Sequence, residues 1–151
     1  MPEFTSHMDR ALAEARAAAA RGETPVGAVV VAPDGAVLAA AGNRVRELAD
    51  PSAHAEMLAL RAAARAVGSE RLTGCDLYVT LEPCPMCAGA VSLARIRRLY
   101  YGAADPKTGG VDHGPRVFAH PTCHHAPEVY GGIAEADCAA LLRQFFQARR
   151  D

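Results

Sequence analysis

Tryptophan is missing from this sequence, and aromatic residues make up only 5% of its 151 positions. A core built here must rest on small aliphatic side chains, and the abundant alanine points to closely packed helices. Lysine is almost absent: Lys107 stands alone, and the remaining positive charge is arginine. The net charge is −1. That excludes indiscriminate polyanion binding, which needs a large positive excess, but leaves room for a local basic patch. No run reaches the roughly 18–20 apolar residues of a membrane-spanning helix, so no membrane partner is expected. The start, Met1 to Arg10, lacks a basic segment followed by an apolar one. No secretory signal is therefore expected, and the reading is cytoplasmic. The cysteines number five, an odd count, with nothing to route them to an oxidising compartment. A disulfide framework is a poor reading of them, and metal binding or catalysis a better one.

What is present suffices for a packed core. Half the residues are hydrophobic and 22% are charged. The length suits one domain over residues 1–151.

Met8, Leu12, Ala15 and Ala19 recur at helical spacing, after Ser6 and Asp9 placed as in a capping box. Val26 to Ala32 and Ala36 to Gly42 read as two strands joined at Pro33-Asp34-Gly35. A polar loop from Asn43 to Ser52 precedes a helix from His54 to Val67, closed by Gly68. Asp76 to Leu81 is a third strand, Pro83 to Arg95 a helix, and Arg98 to Tyr101 a fourth strand. The Gly-, Pro- and His-rich stretch Asp105 to Pro127 is too long for an idle loop, which marks it as functional. A short strand at Glu128 to Gly131 and an amphipathic helix from Ala134 to Arg150 follow, with Leu141, Leu142, Phe145 and Phe146 expected inward. This order predicts a three-layer α/β/α domain around a mixed sheet.

Two segments carry chemistry. His54-Ala55-Glu56 and Pro83-Cys84-Pro85-Met86-Cys87 each open a helix. Residues three apart on a helix share a face, so Cys84 and Cys87 can aim both sulfurs at one point. A helix start favours thiolate over thiol, and Pro85 suits the first turn. Two thiolates and the His54 imidazole make three zinc ligands, leaving one tetrahedral position open as in catalytic sites. Glu56 is then the natural general acid/base. Positions two apart diverge on a helix, so His54 must sit at the non-helical start for the two to converge. A Cys-x-x-Cys by itself is equally a structural half-site or a redox pair. Its pairing with His-x-Glu makes the pattern specific.

The sequence resembles the zinc-dependent cytidine/deoxycytidylate deaminase superfamily, and within it the bacterial tRNA-specific adenosine deaminases. The resemblance covers nearly the whole chain. It includes Thr24 to Val31, Gly42-Asn43-Arg44, Ala53 to Glu56, Leu77 to Ala90, Tyr101 to Gly109, and Glu135 to Leu142 with Phe145-Phe146. It implies a cytidine deaminase-like α/β/α fold and one Zn2+ per chain on His54, Cys84 and Cys87, with Glu56 as the proton shuttle. It implies hydrolytic conversion of adenosine to inosine at the wobble position of a tRNA anticodon loop, by a homodimer. Substrate contacts carried over are Asn43, the backbone at Ala55, and Asp105, Lys107 and Thr108. The stretch Val111 to His125 departs from the best-known members, and Met57 and Pro85 vary within the motifs.

Two other readings compete: a deaminase of a free base or nucleoside such as guanine or cytidine, and a non-catalytic structural zinc module. Cys123, His124 and His125 are neighbours but a poor second metal set. Cys75 and Cys138 read as small buried residues. Arg95, Arg97 and Arg98, and separately Arg143, Arg149 and Arg150, are candidate contacts to RNA phosphate or ordinary solvated faces.

Overall fold

The computed structural model describes residues 4–150. Its sheet has five strands in the order β2-β1-β3-β4-β5: β1 Gly27–Val31, β2 Val37–Gly42, β3 Asp76–Leu81, β4 Arg98–Ala103 and β5 Glu128–Tyr130. Strand β1 runs antiparallel to both β2 and β3, while β3, β4 and β5 run parallel. The β1–β2 turn is held by Asp34, whose carboxylate accepts the Ala36 N–H at 3.0 Å. The sheet is mixed, as its element order predicted.

Helices cover both faces. On one, α3 (Ala55–Val67) and α4 (Pro85–Ala94) bury Ala59, Leu60, Ala63, Ala88 and Val91 against Ala28, Val30, Leu77, Val79 and Leu99 of the strands. On the other, α1 (Phe4–Ala20) and α5 (Glu135–Arg150) pack Met8, Ala11, Leu12 and Cys138 against Val29, Tyr78 and Tyr100. A fully buried Leu or Met stabilises by about 1.5–3 kcal/mol, so Met8 and Leu12 are the main anchors of α1. The alanine content has a geometric use here. A Cβ on Gly27 would lie 1.9 Å from the Ala11 carbonyl oxygen, so α1 rests directly on the β1 backbone.

Several local expectations change. Helix α1 already includes Ser6, so its start lies ahead of the residue expected to cap it. The polar loop after β2 contains a short helix, α2 (Val45–Leu48). Helix α4 starts at Pro85 and not at Pro83, because Cys84 is still extended (φ −70°, ψ 171°). In α5, Cys138 is buried, Leu141 and Leu142 are partly buried, and Phe146 is 45% exposed, since this helix leans on the sheet through its first half. The long stretch after β4 is a chain of turns with one 3-10 turn at Val117–Ala119.

Candidate functional site

The topology gathers the site at one end of the sheet. Strands β2, β3 and β4 all finish there and β1 begins there, as the pairing of Gly27 with Gly42 and of Leu81 with Ala103 shows. Crevices beyond the carboxyl ends of strands are where open α/β sheets bind ligands. A cavity of about 200 Å³ opens at this end, lined by residues including Thr24, Asn43, His54, Glu56, Cys84 and Thr108. These come from well-separated segments, so the sheet assembles what the chain keeps apart.

His54 and Cys84 occupy equivalent places, each the last extended residue before a helix. His54 has φ −71° and ψ 152°, and neither side chain caps its own helix. His54 can therefore converge with Glu56 despite the two-residue spacing. His54 Nδ1 lies 3.6 Å from Cys84 Sγ and 3.5 Å from Cys87 Sγ. A tetrahedral zinc with Zn–S of about 2.3 Å and Zn–N of about 2.0–2.1 Å requires N···S edges of about 3.5–3.6 Å. Both N···S edges thus match those of a zinc site. Among the described residues, this is the one cluster of potential ligand atoms, all within 4.8 Å of one another.

The electrostatics divide the two thiols. Hydrogen bonding from Cys87, and then from His54, outweighs burial and holds Cys84 at about 4, far below the ordinary thiol range. The contact with Cys84, together with burial, pushes Cys87 up. Glu56 is 4% exposed. Burial pushes its carboxyl up to about 7, a value suited to giving and taking a proton near neutrality.

Asn43 follows β2 and is held by three partners. Its Oδ1 accepts the Ala55 N–H at 2.8 Å, its own N–H donates to the Val26 carbonyl at 3.2 Å, and Arg21 donates to its carbonyl at 3.0 Å. The Ala55 amide is therefore engaged by Asn43. Asp105 turns its carboxylate onto its own loop, accepting from the N–H groups of Lys107 (3.2 Å) and Thr108 (3.0 Å) and from the Thr108 hydroxyl (2.6 Å). Lys107 and Thr108 are exposed beside the cavity. Both border an adjoining groove with Phe146 and Arg149.

Other candidates lie elsewhere. Arg97 forms a paired bond with Asp76 (3.0 and 2.8 Å), and Arg98 lies 3.4 Å from Glu128, both at the opposite end of the strands. Cys123 and His125 tie their loop to α4 and the turn after it: Cys123 Sγ is 3.3 Å from the Ser92 hydroxyl, and the His125 ring is 2.7 Å from the Ile96 carbonyl. Cys75 and Cys138 are buried. Glu23 and Glu82, which spacing did not single out, are buried carboxylates that organise the loops around the cavity. A charged residue at a strand end beside the Pro-Cys motif was the available signal for Glu82.

Comparison with known proteins places this geometry. Residues 1–103 match the cytidine and deoxycytidylate deaminase zinc-binding region. The chain is 61% identical, over 99% of its length and 98% of the relative's, to the tRNA-specific adenosine deaminase of Agrobacterium fabrum. A solved structure from studies of A-to-I editing by tRNA:A34 deaminases superposes with a TM-score of 0.89 at 61% identity, covering 91% of this chain and 99% of that one. The guanine deaminase of Nitrosomonas europaea superposes at 0.76 with 26% identity, covering 93% and 82%. The chain belongs to the cytidine and deoxycytidylate deaminase family.

Proposed function

We propose that this chain, as one catalytic domain over residues 1–151, hydrolyses adenosine to inosine at position 34 of tRNA anticodons in the cytoplasm. The observation that carries the reading is the 61% identity to a tRNA-specific adenosine deaminase over nearly the full length of both chains. His54, Cys84 and Cys87 would hold the zinc. Zinc supplies Lewis acidity that makes water nucleophilic near neutral pH. Glu56 takes a proton from the attacking water, delivers it to N1 of the adenine, and assists departure of the amino group as ammonia. Water and adenosine thus give inosine and ammonia. The target base must leave the anticodon stack to reach Glu56. Asn43 grips the flipped nucleoside, with Ala55 fixing its amide oxygen. Asp105 shapes the loop from which Lys107 and Thr108 meet the RNA backbone.

A homodimer is part of the reading. The outer side of α3 and α4 carries Met57, a 63% exposed Leu93 and an apolar groove of about 450 Å³ between them. The deciding experiment incubates the zinc-loaded protein with a tRNA bearing adenosine 34 and reads inosine by sequencing. Inosine at position 34 is expected. Turnover of free guanine or cytidine with no inosine in the tRNA overturns the reading.

A further inference from the structure

Glu82 takes no part in the chemistry above, yet it is 2% exposed, directly after β3 and two residues before Cys84. Its carboxylate gathers the loop that follows β4. Oε1 accepts the Asp105 N–H at 3.0 Å and lies 2.7 Å from His113 Nδ1. Oε2 accepts the N–H groups of Val111 (3.1 Å), Asp112 (2.9 Å) and His113 (3.1 Å). Together these contacts fill the acceptor capacity of a carboxylate, so Glu82 has none left for a substrate. The loop is seated closely: a Cβ on Gly109 would come 2.6 Å from Glu82 Oε2, and one on Gly110 would come 2.6 Å from the Pro85 nitrogen. Gly110 also donates to the Pro83 carbonyl at 2.8 Å.

We propose that Glu82 is a positioning residue, which clips the 105–113 loop to the turn bearing Cys84 and so fixes Lys107 and Thr108 at the cavity mouth. The substrate half of this proposal rests on the tRNA reading above. Glutamine has nearly the same shape but one acceptor oxygen, and its NH2 would face backbone donors.

The test exploits the chain's single lysine. A lysine-specific protease can cut only after Lys107, so its rate on the zinc-loaded protein reports this loop. Glu82→Gln should be cut about 10-fold faster or more, the equivalent of losing about one charged hydrogen bond. Its KM for tRNA should rise more than its kcat falls, with zinc content unchanged. His113→Phe removes a single side-chain contact and should be cut at an intermediate rate, which keeps the proposal testable if Glu82→Gln does not fold. Wild-type cleavage rates in the soluble variants overturn the proposal. So does a fall in kcat and zinc content with KM unchanged. Because proteolysis needs no substrate, it decides the clip even if wild-type protein makes no inosine in tRNA, which would count against the substrate reading alone.

Discussion

Asn43 Oδ1 accepts the Ala55 N–H at 2.8 Å, joining the residue after β2 to the first residue of α3. The side chain between the two halves of the site is thereby fixed by an atom next to His54. Asn43→Ala should lower kcat/KM about 100-fold, roughly 2.7 kcal/mol of transition-state stabilisation, with zinc content unchanged. Steady-state kinetics on an anticodon stem-loop would check this.

Glu56→Gln removes the proton carrier and keeps the shape. Deamination should fall by about 10²–10⁴-fold or more, while metal analysis still finds zinc. A Gln variant of near wild-type activity would rule out the assigned role.

Metal removal should abolish activity, and added zinc should restore it. Cys84→Ser and His54→Ala should lose zinc and not be rescued. The loss of bound metal should also lower the melting temperature, since a ligand that binds only the folded state stabilises it.

Glu23 gives a pH dependence of stability. Burial pushes its carboxyl up, but the N–H groups of Arg46 and Glu47, with the charges of Arg21 and Arg46, hold it below its ordinary value of 4.5. A carboxyl lowered on folding stabilises the protein above its unfolded value, and that contribution disappears as pH falls through the folded one. The melting-temperature gap between wild type and Glu23→Gln should therefore be widest near neutral pH and shrink below about 4.5. A gap that widens on acidification would contradict this.

Leu93→Glu places a charge on the outer side of α4. On the homodimer reading the wild type should sediment as a dimer and this variant as a monomer, because burying an unpaired charge at an interface is costly.

Much of the site was legible because its signals are local. His54, Glu56, Cys84 and Cys87 lie in two short motifs at helix starts, where spacing and the non-helical first residue decide which side chains within each motif can converge, while the sheet brings the two motifs together. The extended His54 followed from the need to bring it to Glu56. Glu82 and Glu23 were not legible in the same way, since their partners lie 20 or more residues away, in the loop after β4 and in helix α2. Helix α2 was read as loop because Glu23, from outside the segment, satisfies its first N–H groups. Arg97 and Arg98 could be seen as basic, but only the strand direction shows that they sit far from the cavity. Phe146 matched the inward pattern, yet α5 meets the sheet mainly through Cys138.

Many helices are sealed at their start by the side chain of the residue just before them, at a benefit of about 0.5–2 kcal/mol. Helices α3 and α4 have no such seal: His54 and Cys84 make no capping bond to their own helices. One ion held between them would stitch both helix starts together at once. Loading would then act as a local folding event, and hydrogen exchange at the first turns of α3 and α4 would slow together when zinc arrives.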